Sequence, residues 1–479
     1  MKFYSSLISR LILVLLIILM APWSTVFSAN KSATLLTPAN DPYYRFVPLF
    51  ATPNNSIFGS SVAQIDLATE LTRLQASATR WMRLELVWKS VEASMGTYDW
   101  SQANSLDQAI VAARQAGIQT VLLVNETPAW AVKPGFSCGV IAEDRFVNFA
   151  DFVKEVIRRY SAAPYYVKYF EIYNEPDAAG VLGCWGNPSD TFYYGGAYYG
   201  QMLQSVYPVV KSAYPNAQLL VGGLLLDCDP INPPDDPNNP GQKKNCTPAR
   251  FLDGILASGA GNSFDGIAFH SYDYYSGPGI YSNINWHSSR AQNGPANLAK
   301  SAYIRDALQR YGVGVDKPLL NTEYAIFCGG DNDASCLSVQ DALEATKAYY
   351  IVQFMASAMA DGYQTAIWYS TYSTRNNSLF QANLTPLPVY YAYKFTNQKL
   401  GNARYLRQIS DLNFVIYEFS TASGRIWITW TKDSTAHTLI LPALPKAIYR
   451  IGTDGNPVVE TPALTLNLDQ APAIIELNP

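Results

Sequence analysis

The chain has 479 residues, of which 48% are hydrophobic and 15% are charged, a balance that predicts a folded globular protein and excludes a disordered one. That length has room for one large domain and a smaller one. The formal net charge of -4 argues against nucleic acid or an anionic membrane as the main partner.

The first residues have the pattern of an export signal. Lys2 and Arg10 supply positive charge, residues 11–20 form an unbroken apolar run, and small residues precede the expected cleavage site. We therefore expect residues 1–29 to be a signal peptide, so that the mature protein is secreted and does not insert into a membrane. An uncleaved membrane anchor is less favoured, because a spanning helix needs about 20 apolar residues.

Between residues 40 and 400, apolar strand-like stretches alternate with segments of helical periodicity. The first strand is expected at 57–59 or at 46–50. The others are expected at 79–88, 118–124, 167–174, 217–226, 264–272, 317–324 and 364–370. Helices are expected around 67–74, 106–113, 146–157, 248–257, 301–311 and 339–360. Apolar strands that alternate with helices are typical of a parallel barrel, so residues 40–400 predict an α/β fold, a (β/α)8 TIM barrel.

Two of these strands end on a glutamate. The stretch 167–177, VKYFEIYNEPD, reaches Glu175, and Pro176 prevents the strand from continuing. The stretch KPLLNTEY delivers Glu323 in the same way. The carboxyl ends of parallel barrel strands meet at one face, where barrel enzymes keep their chemistry. Paired carboxylates at that face indicate cleavage of a glycosidic bond, whereas a solvated surface glutamate is the alternative for either residue alone.

The six cysteines agree with export, because disulfides persist in oxidising compartments. Six cysteines allow 15 pairings. Proximity along the chain favours two pairs, and elimination leaves a third: Cys228–Cys246, Cys328–Cys336 and Cys138–Cys184. Their spacing suits no zinc site, and the chain has only three histidines, so neither a metal nor a cofactor is expected.

After residue 400 the pattern changes to short strands separated by turns. Strands are expected at 414–419, 425–430, 438–441, 447–451 and 473–477. Residues 401–479 therefore predict a small C-terminal antiparallel β-sandwich domain. Structural support of the barrel is the favoured role for this domain, and carbohydrate binding is the alternative.

Across residues 45–400 the sequence resembles the clan A glycoside hydrolases, retaining (β/α)8 enzymes, and most nearly families 5 and 39. In that clan the acid/base follows an asparagine at the end of the fourth strand, and the nucleophile ends the seventh. The resemblance thus implies that Glu175 is the acid/base and Glu323 the nucleophile.

The same resemblance implies supporting roles for other residues. Arg83 would hold the nucleophile ionised, Asn174 would bind the sugar 2-hydroxyl, and Trp368 would form the floor of the first sugar subsite. His270 and Tyr272 match the His-x-Tyr of the sixth strand. Asn125 is a further candidate for substrate binding. Many members of family 5 have a histidine at this position, so the resemblance does not extend to their substrate contacts.

The leading hypothesis is a secreted retaining glycoside hydrolase that cleaves β-O-glycosidic bonds of polysaccharides or oligosaccharides by double displacement. The alternative is a catalytically inactive barrel that serves as a carbohydrate-binding or cell-surface protein. The sequence leaves open the sugar, the linkage, endo or exo action, and the oligomeric state, because the loops at 228–246 and after Tyr272 match no known pattern.

Overall fold

The computed structural model describes residues 56–478 except 137–138, 181–182, 184, 291–293, 330–332 and 434. The predicted signal peptide 1–29, the alternative first strand at 46–50 and the predicted pair Cys138–Cys184 lie outside the described residues. None of the described helices combines the length and the hydropathy that a bilayer-spanning segment requires.

Eight parallel strands close into a barrel, because the first strand pairs with the last and the fifth pairs with the sixth. In chain order they are β1 Phe58–Ser60, β2 Trp81–Val87, β3 Gln119–Asn125, β4 Tyr169–Asn174, β5 Gln218–Leu224, β6 Gly266–Gly277, β9 Leu319–Phe327 and β10 Thr365–Trp368. Between β6 and β9, a hairpin adds β7 Ile280–Asn283 and β8 Ser288–Ser289. The predicted TIM barrel is confirmed, and the first strand lies at the first of its two expected positions.

The helices follow the barrel strands. They are α1 Leu67–Ala76, α2 Trp88–Val91, α3 Asn104–Gln115, α4 Phe146–Tyr160, α5 Gly196–Ala213, α6 Phe251–Ala257, α7 Ala296–Arg310, α8 Ala334–Leu337, α9 Gln340–Ala360 and α10 Pro388–Leu400. The sequence did not predict α5 or α10. Glycines and an internal Pro208 weaken the helical pattern of α5. Gly196 is required there because a Cβ would overlap the carbonyl oxygen of Phe251 on α6.

The barrel interior begins with an apolar floor. One side chain from each of six strands forms this layer, which is separate from the main core: Trp81, Val121, Tyr169, Leu220, Leu320 and Ile367. The main core lies outside the strands, between them and the helices. The floor therefore closes the end of the barrel that is opposite to the strand-end glutamates.

The C-terminal region is antiparallel. Its strands are β11 Arg404–Ile409, β12 Phe414–Thr421, β13 Gly424–Thr431, β14 His437–Ile440, β15 Ala447–Ile451, β16 Pro457–Glu460, β17 Thr465–Leu468 and β18 Ala473–Leu477. Six form a sheet in the order β11-β12-β13-β18-β15-β16, and β14 pairs with β17. The two sheets enclose a core of their own, so the predicted β-sandwich architecture is confirmed.

The central strands of the six-stranded sheet are buried on both faces. Along β12, Phe414 and Ile416 point into the sandwich core, whereas Tyr417 and Phe419 join the core that the barrel and its helices share. This alternation is the normal period of a strand. The described residues accordingly fall in a single compact unit, without a division at the barrel boundary.

Candidate active site

The two glutamates that were expected at strand ends meet at the carboxyl end of the barrel, although β9 continues past Glu323 to Phe327. Glu175 follows β4 in a left-handed backbone conformation, with φ of 42°, and Glu323 lies in β9. The neighbouring β6 places His270 in register with Glu323. A carboxylate oxygen of each glutamate and a ring nitrogen of His270 all lie within 4.8 Å of one another. All three residues are buried.

Glu323 accepts hydrogen bonds from two predicted site residues. The Nη1 of Arg83 lies 2.6 Å from its Oε1, and the hydroxyl of Tyr272 donates to its Oε2. Burial and the charge of Glu323 raise the pKa of Tyr272 well above its usual value, so the phenol keeps the proton that it donates. A guanidinium and a phenol on one carboxylate both favour a negatively charged acceptor.

Arg83 is held in place by Glu171, a residue that the sequence analysis did not single out. The Nε and Nη2 of Arg83 donate to the two carboxylate oxygens of Glu171 at 3.0 and 2.7 Å, and Nη2 also donates to Oδ1 of Asn174 at 2.9 Å. Burial opposes the charge of Arg83, but Glu171 and Glu323 outweigh it and raise its pKa. A charged residue inside an otherwise apolar strand was the available signal for Glu171.

The environment of Glu175 differs from that of Glu323. Burial raises the pKa of Glu175 to about 7, although the positive charges of Arg83 and Lys300 act in the opposite direction. Burial lowers the pKa of His270 to about 4, so its ring is neutral at pH 7. One carboxylic acid therefore keeps its proton near neutral pH, beside a carboxylate that is held by cationic and phenolic donors.

The orientation of the His270 ring follows from its hydrogen bonds. Its Nδ1 lies 2.8 Å from Oε1 of Glu175, and its Nε2 has no partner among the described atoms. A buried N–H without an acceptor costs more than a buried acceptor without a donor. We therefore assign the proton to Nδ1, which donates to Oε1 and leaves Oε2 of Glu175 to carry the acidic proton.

Gly223 makes room for this arrangement. It belongs to β5, where a Cβ would overlap Nε2 of His270 and would lie 2.8 Å from Oε1 of Glu171. Its backbone N–H donates to the same Glu171 oxygen at 2.8 Å, and its carbonyl accepts from the N–H of Glu175 at 3.0 Å. The glycine pair inside the buried stretch LLVGGL was the sequence signal for a close approach.

Three further titratable groups lie buried next to the residues of the site. The Nζ of Lys300 donates to the carbonyl oxygen of His270 at 2.9 Å, and burial lowers the pKa of this lysine to about 8. Burial raises the pKa of Asp177 to about 7, although the carboxylate accepts two backbone N–H groups. Burial likewise raises the pKa of Asp273 to about 6. Lys300 thus supports β6 directly at the histidine.

Asn125 and Asn174 line the rim of the site. The Oδ1 of Asn125 lies 3.4 Å from the backbone N–H of Asn174, and its amide donates to Glu85 at 2.7 Å. Both asparagines are partly exposed. They are connected through hydrogen bonds to Arg83, so the structure places seven of the predicted residues in one network: Arg83, Asn125, Asn174, Glu175, His270, Tyr272 and Glu323.

Trp368 does not join that network. It is fully buried, donates its indole N–H to the carbonyl oxygen of Asn377 at 2.8 Å, and packs edge-on against Tyr324. A sugar platform needs an exposed ring face, so Trp368 does not form the floor of a subsite. The next residue, Tyr369, is partly exposed, and it lies two positions after Ile367 of the barrel floor, so the alternation of a strand directs its ring toward the inside of the barrel mouth.

Two predicted disulfides are present. Cys228–Cys246 closes the loop after β5, and Cys328–Cys336 closes the loop that follows β9. Both loops begin at the carboxyl ends of barrel strands, and each is therefore anchored on the side of the barrel that carries the glutamates. A disulfide limits the freedom of such a loop in the unfolded chain.

Within the described residues, one group has the composition of a metal site: Glu175, His270 and Glu323. Its atoms are already hydrogen-bonded to one another, to Tyr272 and to Arg83. The guanidinium 2.6 Å from Glu323 opposes a second cation at that carboxylate. The arrangement is better suited to proton transfer and nucleophilic attack than to metal binding.

Comparison with known proteins agrees with this geometry. The sequence model of the cellulase family, glycosyl hydrolase family 5, matches residues 55–371. No curated protein matches the chain at a significant level.

Solved structures of the same fold belong to related families. A family 39 glycoside hydrolase from Bacteroides cellulosilyticus shares 18% identity over 91% of this chain and 84% of its own, with a TM-score of 0.64. A family 30 endoxylanase from Clostridium papyrosolvens shares 14% identity over 90% of this chain and 98% of its own, with a TM-score of 0.57. A family 51 alpha-L-arabinofuranosidase from Bifidobacterium longum shares 13% identity over 88% and 96%, with a TM-score of 0.55.

Proposed function

Because the chain belongs to the cellulase family, glycosyl hydrolase family 5 of clan A, we propose that it hydrolyses β-glycosidic bonds of a polysaccharide or oligosaccharide with retention of configuration. In this proposal Glu323 is the nucleophile and Glu175 is the acid/base. The observation that carries it is the pair of buried glutamates with carboxylate oxygens within 4.8 Å of one another, of which Glu323 is bound by Arg83 and Tyr272 and Glu175 by His270. Carboxyl groups about 5 Å apart favour double displacement, since an inverting enzyme needs more room for water.

In the first step, an oxygen of Glu323 attacks the anomeric carbon and the bond to the leaving oxygen breaks. The proton on Oε2 of Glu175 moves to that oxygen, which departs as an alcohol. Arg83 and Tyr272 hold the attacking carboxylate in place. His270 fixes Glu175 through Oε1, so that the protonated oxygen faces the bond that breaks.

In the second step, water attacks the glycosyl ester on the face that the leaving group has vacated. Glu175, now ionised, takes a proton from that water, and Glu323 leaves as a carboxylate. Because Glu175 must enter the first step protonated and its pKa is about 7, we expect kcat/KM to decline as the pH rises through about 7.

The substrate class and the location of the enzyme belong to the same proposal. Tyr369 takes the role of ring platform that was expected of Trp368, and Asn174 binds the hydroxyl next to the anomeric carbon. The two disulfides support a protein that works outside the cytoplasm. We propose that it is secreted and that its partner is a carbohydrate.

Azide tests the two roles by stereochemistry. Glu175→Gln should still form the glycosyl intermediate from an activated aryl β-glycoside, and added azide should release it as the β-glycosyl azide. Glu323→Ala with azide should give the α-glycosyl azide, because the anion can enter only the vacated face. Exchanged stereochemistry would reverse the assignment. Glu126→Gln is the matched control, since Glu126 follows β3 with φ of 63° but pairs with Lys89 at the surface.

A substrate panel separates the enzyme from an inactive binding barrel. Aryl β-glycosides, β-glucans, xylans and mannans are incubated with the wild-type protein and with Glu323→Gln. Turnover by the wild type alone supports the proposal. Binding of sugars without turnover of any substrate in the panel would overturn it in favour of the inactive barrel.

A further inference from the structure

Two barrel strands continue beyond the active site and form a wall. Strand β6 extends past His270 to Gly277, and β9 extends past Glu323 to Phe327. The strands stay paired along this extension, with Tyr274 opposite Phe327. Tyr274 lies four positions after His270 along the strand, so the wall rises roughly 13 Å above the histidine.

The wall carries a continuous row of aromatic rings. Tyr272, which donates to Glu323, has its ring centroid 4.6 Å from that of Phe327. Tyr274 lies 6.5 Å from Phe327 on the same side, and the guanidinium of Arg375 lies 4.1 Å from the Phe327 ring centroid. The row therefore starts at the nucleophile and ends at Tyr274, of which 46% is exposed.

Tyr274 opens onto a groove of about 410 Å³ that lies outside the catalytic cluster. One side of the groove is the β6–β7 hairpin, with Tyr274, Ser282 and Ile284. The other side is the loop that Cys228–Cys246 closes, with Asp236 and Lys244. These are the two loops whose sequence matched no known pattern.

The groove is held by bonds between its two sides. The backbone N–H of Asp229 in the disulfide loop donates to the carbonyl oxygen of Asn285 at 2.9 Å, and a ring nitrogen of His287 lies 2.7 Å from the carbonyl oxygen of Asn232. Lys244 pairs with Asp227 at 3.0 Å at the base of the loop. With the disulfide, these contacts fix the width of the groove in the folded protein.

We propose that this groove is a second sugar subsite, which binds a ring of the same substrate chain away from the bond that is cleaved. This inference rests on the proposed function and adds to it that the enzyme favours long chains. An exposed phenol ring and the Ile284 side chain offer apolar surface to the C–H face of a sugar. The groove also presents a carboxylate, an ammonium and amides, so both charge signs are present and the expected ring is neutral and rich in hydroxyl groups.

The test compares substrates of increasing length. The probes are unbranched oligosaccharides of two to six units from the polysaccharide that the wild type degrades fastest in the panel above. For wild type, kcat/KM should rise with length. In Tyr274→Ala, the ratio of kcat/KM for the hexasaccharide to that for the disaccharide should fall about tenfold, the effect of one lost ring contact.

Two variants control for a merely structural role of the tyrosine. Tyr274→Phe keeps the ring and should keep the ratio. Tyr166→Ala removes a ring that is 52% exposed before the start of β4, at the opposite end of the barrel, and should leave the ratio unchanged. An equal loss on all lengths with Tyr274→Ala would overturn the subsite, because it would mean that the ring only supports Phe327 and Tyr272.

A binding measurement separates the failure of this inference from the failure of the proposed function. Hexasaccharides of β-glucan, xylan and mannan are titrated into Glu323→Gln and into the double variant Glu323→Gln/Tyr274→Ala. Roughly tenfold weaker binding by the double variant supports the groove even where the wild type shows no turnover. Equal binding by both variants, or no binding of any hexasaccharide, would overturn the groove even where turnover is normal.

Discussion

The floor of the barrel and the layer above it are built on the same strands, yet the floor is apolar and the layer above it contains paired charges. On β2, Trp81 belongs to the floor and Arg83 to the site; on β4, Tyr169 and Glu171 stand in the same relation. Each pair is two residues apart, so both members point into the barrel. The floor stabilises the fold by packing. The upper layer places charges where they are costly, and only their mutual pairing makes the cost tolerable.

The largest effect is expected from removing the cation of the upper layer. Arg83→Leu leaves Glu171 buried without its partner and removes a donor from Glu323. We expect a loss of about 3–5 kcal/mol in the free energy of unfolding. The kcat should fall by at least about a hundredfold, as when a preorganised donor is lost. Urea denaturation and steady-state kinetics measure the two effects.

A double variant tests whether that stability loss comes from the unpaired charge. Arg83→Leu with Glu171→Leu replaces the ion pair by apolar side chains and should recover much of the stability without recovering activity. If the double variant were as unstable as the single one, packing and not charge pairing would explain the loss. If the double variant were as active as wild type, Arg83 would have no role in catalysis.

In the floor, a comparable loss of stability should leave the chemistry intact. Leu320→Ala creates a cavity in a fully buried layer three residues before Glu323 on β9, at a cost of about 3 kcal/mol. The kcat of the folded enzyme, measured well below the unfolding transition, should stay within about twofold of wild type. A large fall in kcat would show that the two layers are mechanically coupled.

The charge of Glu175 should make stability depend on pH. Its pKa is raised from 4.5 to about 7 on folding, so the folded state binds the proton more tightly than the unfolded state. Stability is then lost as the pH rises through this window, and glutamine, which has no proton to lose, avoids the loss. Glu175→Gln should therefore gain up to about 3 kcal/mol at pH 8 and little at pH 4.

The control for this prediction is Glu126→Gln, because Glu126 is largely exposed and its ion pair with Lys89 lies at the surface. Such pairs contribute little to stability, so the free energy of unfolding should change little at either pH. An identical gain for Glu175→Gln at pH 4 and pH 8 would rule out the buried charge as its origin.

The smallest effect distinguishes two neighbouring aromatic residues. Trp368→Phe removes one buried hydrogen bond and some packing, and should cost about 1–2 kcal/mol with KM unchanged. Tyr369→Ala should raise KM and affect stability less, because its ring is partly exposed. A higher KM in the Trp368 variant would restore that residue as a sugar platform.

The periodicity of the sequence was sufficient to locate the eight barrel strands and to place Glu175 directly after β4, but it ended the Glu323 strand too early, since β9 continues to Phe327. Periodicity did not predict which of two adjacent aromatic residues faces the cleft. These two residues are Trp368 and Tyr369, at a strand end. Glu171 was missed because its role depends on its ion pair with Arg83, which lies 88 positions away in the sequence. The helix α5 was missed because its glycines serve packing and not helix propensity.

The barrel shares its core with strands that leave the ribosome last. Every residue of α9 from 343 to 358 is buried, and part of that cover comes from strands that lie after residue 400. A chain that has emerged from the ribosome only as far as α10 holds all eight barrel strands but lacks the partners of that apolar helix. Until β11 and β12 have followed, the apolar surface that they cover stays exposed and favours aggregation.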